Sequence, residues 1–139
     1  MKQRKKNIIA LFIISVFTVS FLAMAPSVQK DPWNIPTKYK KMTNPTKPDK
    51  SSLNIGKSLY MKHCKSCHGK TGKGDGTKAK ELKTEMWDLG SNEVKSFNDG
   101  ELYYMTYVGR GEMDGYEKKI TDEEDRWFVI NYIKTFSSE

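Results

Sequence analysis

Cys64, Cys67 and His68, in "HCKSCHGKTGKGDG", are the residues whose types and spacing could do chemistry. Four chemistries compete for the cysteine pair, the only cysteines in the chain. A structural zinc site wants four ligands, and His63 and His68 lie too close to the thiols in sequence to enclose a metal easily. A thioredoxin-like redox pair follows a strand, whereas the preceding "NIGKSLYMKHC" reads as a helix with Ile55, Leu59 and the stem of Lys62 on one face. A disulfide would close a loop of only two intervening residues and constrain little. The fourth chemistry is covalent haem attachment, for which Cys-x-x-Cys-His is the signature. Cys64 and Cys67 would carry the two thioethers, and His68 would be the proximal iron ligand.

Such an iron has a sixth position to fill. His63 directly precedes Cys64 on the attachment helix, so it would need a backbone reversal to reach the opposite face. The candidates are therefore a thioether from Met61, Met86, Met105 or Met113, a lysine amine, or an open position. Met61 shares the haem helix, and Met105 reads as core. Met113, in "GRGEMDGY", follows His68 by 45 residues, after a helix and a glycine-rich turn that could bring its sulfur over the far haem face. It is the first choice and Met86, in "TEMWDLG", the second. Arg110 is a candidate contact for a haem propionate; Trp87 and Tyr116 could also reach one, although packing explains them as well.

The elements that must position these residues begin with an N-terminal segment of another kind. Residues 8–25 carry no charge and follow Lys2, Arg4, Lys5 and Lys6, the pattern of a signal peptide or an uncleaved membrane anchor. Its positive flank would stay cytoplasmic, exporting the rest to the periplasm or to the outer face of the cytoplasmic membrane. Cleavage after Ala25 is opposed by Pro26, a cut after Ser27 is the fallback, and retention remains open. Export suits haem attachment, and it accounts for two cysteines with no disulfide role.

All five prolines fall between residues 26 and 48, in a stretch without helical or strand periodicity. This reads as a linker over residues 26–50, and the competing reading has Trp33, Ile35 and Tyr39 docking it onto the domain. The haem domain is expected over residues 51–137. There, Thr121 with Glu124 reads as a capping box, and Trp127, Ile130, Ile133 and Phe136 recur on one face of a closing helix. Residues 99–107 read as a shorter helix, with Leu102 and Met105 aligned and Gly109 ending it.

Net charge is +7 but unevenly placed. Residues 1–7 and 26–50 each contribute +4, leaving −1 for residues 51–139, so the basic balance belongs to the N-terminal part and nucleic-acid binding loses its support. Inside the domain, residues 57–85 hold eight lysines against three acids, and residues 86–139 hold six basic groups against twelve acidic ones. That division suits a redox partner with an acidic docking patch; a solvated mixed surface explains it equally.

Over residues 51–137 the sequence resembles the single-haem, class I cytochrome c domains of bacteria. The resemblance is carried by "IGKSLYMKHCKSCHGKTGKGDG", "DGELYYMTYVGRGEM" and "DEEDRWFVINYIKTF". It implies an all-α fold, a small helical bundle wrapped around one haem c with its iron. In that fold the first and last helices would cross near a glycine and an aromatic residue, roles suited to Gly56 and Tyr60 on one helix and Trp127 and Tyr132 on the other. It also implies a methionine ligand in a glycine-containing loop, as Met113 is. Two positions depart from the family. Asp114 and Gly115 follow the methionine where a proline is typical, which suggests a looser loop, and Thr77 stands where proline often follows "GDG", leaving the carbonyl that orients His68 unassigned.

The expected function is single-electron transfer. Two strong protein ligands leave the iron no substrate site, and a thioether favours the ferrous state. The alternatives are a haem peroxidase or gas sensor with a displaceable Met113, and a haem subunit of a membrane respiratory complex.

Overall fold

The computed structural model describes residues 33–136. The expected signal or anchor segment, residues 1–25, and the first part of the expected linker lie outside the described residues, which form one compact unit beginning at Trp33. Its regular elements are all helical: α1 (Thr37–Lys40), α2 (Lys50–His63), α3 (Lys65–His68), α4 (Asn92–Lys95), α5 (Asp99–Val108) and α6 (Glu123–Ile133), with one 3-10 turn at Ala79–Glu81. Among the described residues no helix is long and apolar enough to cross a membrane.

Helix α2 starts where Pro48 gives way to Asp49, whose carboxylate accepts from the Ser52 N–H at 2.8 Å while the Ser52 hydroxyl accepts from the Asp49 N–H at 2.8 Å. Such a reciprocal cap satisfies two otherwise orphaned donors and fixes where the helix begins. The face that α2 buries is Ser52, Gly56 and Tyr60, four residues apart, and not the expected Ile55 and Leu59 face: Ile55 is exposed and Leu59 half-buried. Gly56 decides this. A Cβ there would stand 2.0 Å from the Phe128 carbonyl oxygen and 3.1 Å from the Tyr132 Cβ, so α2 and α6 cross with backbone against backbone. Tyr60, fully buried, packs its ring against Tyr132 and Phe136.

The aromatic role on α6 divides accordingly. Tyr132 faces the crossing, and Trp127 turns to α5, where its ring stacks on Tyr103 at 4.2 Å. Five residues at 100° each put those two side chains about 140° apart, so one crossing cannot use both. Ile130 and Ile133 are buried as expected, and Phe136 packs from beyond the helix end. The cap is Asp122 rather than Thr121: its carboxylate accepts from the N–H groups of Glu124 and Asp125. An acidic side chain there both accepts these bonds and complements the positive end of the helix dipole, which a threonine cannot. On α5, Asn98 and Glu101 form a capping box, Leu102 and Met105 are buried, and Gly109 closes the helix at φ 70° with its N–H on the Met105 carbonyl.

Of the two readings of the linker, residues 33–46 show the docked arm. Ile35 and Tyr39 are in the core, and the Tyr39 ring lies 4.7 Å from that of Tyr104. A Cβ on Gly100 would meet the Tyr39 carbonyl oxygen at 2.3 Å, so the arm lies directly on the α5 backbone. Asn98 donates to the Lys40 carbonyl. The buried Asn131 of α6 is the arm's second socket, accepting from Asn44 at 2.7 Å and donating to the Thr46 hydroxyl at 2.9 Å. Both ends of that amide are therefore satisfied, as burial requires.

Candidate functional site

Cys64 ends α2, its N–H on the Tyr60 carbonyl, and the next turn continues at once through α3. The Cys67 and His68 N–H groups both donate to the Cys64 carbonyl, at 3.2 and 2.9 Å. The two thiols and the imidazole therefore sit on a single helical turn, with Cys64 and His68 in the i, i+4 relation that puts side chains on one helix face.

Both thiols are free, Cys64 buried and Cys67 half-buried. Burial, with the neighbouring Cys67 thiol as the lesser cause, pushes the Cys64 thiol up to about 12, so it is a neutral thiol at pH 7. Zinc prefers thiolates, and among the described residues no three of His, Cys, Asp and Glu converge as a metal cluster.

His68 has the property that a metal ligand needs. Its Nδ1 is buried without a hydrogen-bond partner, and burial pushes the imidazole down to about 4. At neutral pH the ring is thus uncharged, with a lone pair free to coordinate. An unsatisfied buried polar atom costs roughly 1–3 kcal/mol, and none of the backbone carbonyls folded around this turn takes up Nδ1 as the orienting partner a ligating ring uses. Two free thiols on the same turn and an unsatisfied neutral imidazole fit a covalently held haem.

The segment after His68 folds back on this turn. Tyr60 donates its hydroxyl to the Gly69 carbonyl at 2.8 Å, Gly74 donates to the His68 carbonyl, and Gly76 and Lys78 donate to the carbonyls of Cys67 and Ser66. Gly76 is required there, since a Cβ would lie 2.4 Å from the Ser66 carbonyl oxygen. These bonds fix the backbone around Thr77 without the proline typical of the family.

The half-buried Met113 sits in a loop held at several points. Arg110 and Met113 exchange both backbone hydrogen bonds, at 2.8 and 2.9 Å, around Gly111 and Glu112. Gly109 and Gly115 allow the loop's two ends to touch: a Cβ on Gly109 would meet the Met113 carbonyl oxygen at 2.3 Å, and one on Gly115 the Val108 carbonyl oxygen at 2.4 Å. One carboxylate oxygen of Glu112 accepts from the Lys83 N–H, the Thr84 N–H and the Thr84 hydroxyl, each at 2.9 Å. Tyr116 donates its hydroxyl to the His63 carbonyl at 2.8 Å, which ties the loop's end to the residue before Cys64. The looser loop expected from Asp114 is thus replaced by a pinned one; Asp114 itself only pairs with Lys119 at the exposed surface.

The other sulfur candidates are placed differently. Met105 is in the core, and Met61 packs partly buried against it. Met86 lies against the segment that leaves His68: a Cβ on Gly74 would come within 2.8 Å of the Met86 Cβ. With Leu82, Lys83 and Thr84 it borders an open cleft of about 490 Å³ above Gly74–Gly76. Trp87 stacks on Phe97, their planes 8° apart, and the Arg110 guanidinium lies 4.3 Å over the Trp33 ring. His63 packs edge-on to Tyr116. Glu112 and Asn131 matter to this arrangement and carry no local sequence signal for their roles, whereas Trp33 stands out as a large aromatic among prolines and lysines.

The family model described as Cytochrome c matches residues 53–137. Among solved structures, a chain of the Kuenenia stuttgartiensis reducing HAO-like protein complex Kustc0457/Kustc0458 is 23% identical, with a TM-score of 0.57 over 68% of the present chain and 47% of its own. The present chain thus spans about half of that chain's length, and at this identity the likeness shows a shared fold. No curated protein matches.

Proposed function

The chain belongs to the cytochrome c family and carries covalently attached haem c, and from that premise we propose that it is a one-electron carrier with His68 and Met113 as the axial iron ligands, working outside the cytoplasm. Haem c supplies the redox centre, an iron that gains or loses one electron. Around it Cys64 and Cys67 hold the ring, and His68 offers a neutral nitrogen. The observation that carries the reading is the pairing of a buried, uncharged His68 imidazole with a methionine loop pinned through Tyr116 to His63, at the end of α2 beside the attachment turn.

Met113 is favoured over Met86 because Met86 packs on Gly74, whose N–H is bonded to His68's own carbonyl. That contact argues for the His68 side of the ring rather than the face opposite it. A thioether as sixth ligand raises the potential relative to a second imidazole. The pinned loop favours a lasting bond and hence an iron closed to substrates. Placement outside the cytoplasm rests on the charged flank and apolar run of residues 2–25 and on the export that haem attachment requires.

The test is a visible spectrum of the exported, haem-loaded protein. Wild type shows the weak long-wavelength band of sulfur bound to ferric iron, Met113→Ala lacks it, and Met86→Ala keeps it. The reverse pattern in the two variants would transfer the distal role to Met86.

A further inference from the structure

We propose that Trp33, on the N-terminal arm, is a positioning residue for the methionine loop: through Arg110 it holds Met113 on the iron, making the arm part of the sixth-ligand apparatus. The inference rests on the reading of Met113 as the ligand. Three connected observations lead to it.

First, Arg110 and Met113 are directly coupled, since each donates its backbone N–H to the other's carbonyl. Movement of Arg110 is therefore movement of Met113. Second, the Arg110 guanidinium lies 4.3 Å over the indole of Trp33. The face of tryptophan is the best aromatic partner for a cation, and a planar guanidinium stacks on it well. Third, Trp33 is not a free end. Two residues on, Ile35 is buried, and Tyr39 is fixed by the ring of Tyr104 and by backbone contact with Gly100. Asn131 holds the arm further on, through Asn44 and Thr46.

The loop thus has three fastenings. Glu112 ties it to Lys83 and Thr84, Tyr116 ties it to His63, and Trp33 covers Arg110 from the arm. The arm's fastening differs in one respect. It starts at Trp33, the first residue of the described unit, so the side chain that covers Arg110 is the outermost described residue of the arm.

The experiment uses the full-length, haem-loaded protein and follows carbon monoxide binding to ferrous iron, together with the pH at which the ferric long-wavelength band disappears. Losing a cation–aromatic contact of ordinary strength should raise carbon monoxide uptake roughly threefold to tenfold and make the band disappear at lower pH in Trp33→Ala. Trp33→Tyr, which keeps an aromatic face, should restore both readouts, and Trp33→Leu, which keeps bulk without that face, should not. Arg110→Leu should reproduce the effect, and the double variant should add little to either single one. Equal behaviour of the leucine and tyrosine variants, or simple multiplication of the two effects in the double variant, would overturn the inference. Met113→Ala is measured alongside. If it retains the band, the ligand assignment fails; if it loses the band while the Trp33 variants match wild type, only the positioning role fails.

Discussion

At the residue scale, the site is built from groups whose ordinary behaviour is altered by where they are buried. His68 is kept neutral and Cys64 protonated by loss of water. Glu112 is the opposite case, an exposed carboxylate held ionised. The Thr84 N–H, then the Thr84 hydroxyl and the Lys83 N–H, hold its pKa below the usual 4.5. Because the folded value is depressed, the stabilisation is complete above 4.5 and disappears as pH falls through the lower folded value. Glu112→Ala should therefore melt a few degrees below wild type at pH 7, with the difference shrinking as acid is added below pH 4.5. Calorimetry of both haem-loaded proteins across that range is the check, and a constant gap down to strong acid would refute the mechanism. The Cys-x-x-Cys-His turn was legible because all its geometry is local. Glu112 was not, since its partners lie 28 and 29 residues away and nothing in "GEMDG" names them.

At the scale of elements, two glycines set how closely backbones approach. Gly56 brings α2 onto α6, and Gly100 brings the arm onto α5. Each would place a new Cβ within 2.3 Å of a carbonyl oxygen, a contact that side-chain movement cannot relieve. Gly56→Ala should cost about 1–3 kcal/mol or more of global stability, read from denaturant midpoints, with the exposed neighbour Lys57→Ala as the unaffected control. Gly100→Ala should act more locally, increasing proteolytic cutting near residues 33–46 while the denaturation midpoint moves less than for Gly56→Ala. If both variants lower the midpoint equally and leave the arm protected, the arm is no separable element. The closing helix α6 is legible in its apolar spacing, but its cap lies one residue later, because Thr121 and Asp122 are both good caps and local pattern does not rank them, and Trp127 faces α5 rather than the crossing. The arm was ambiguous for a deeper reason. Its prolines erase periodicity, and its docking depends on Gly100 and Asn131, far along the chain.

At the scale of the whole molecule, the division of charge is the property that no single element shows. The eight lysines of residues 57–85 are all exposed, and they lie on α2, on α3 and in the segment that folds back over the attachment turn. Acids predominate from residue 86 onward, including Asp122, Glu123, Glu124 and Asp125 around the start of α6. A domain of net −1 thus carries a lysine-rich region around Cys64, Cys67 and His68, where a partner seeking short transfer distance would approach. Charges of this kind act mainly on encounter rate, and salt screens them over about 10 Å at 0.1 M. The expected outcome is electron transfer to an acidic acceptor that slows progressively with salt. Reversing charge at Lys65 and Lys70 together should slow the reaction at low salt and flatten its salt dependence, whereas reversing Glu123 and Glu124 should change it far less. Stopped-flow rates over a range of salt concentrations decide the matter. If the two reversals act alike, the lysines are a solvated surface and the partner docks elsewhere.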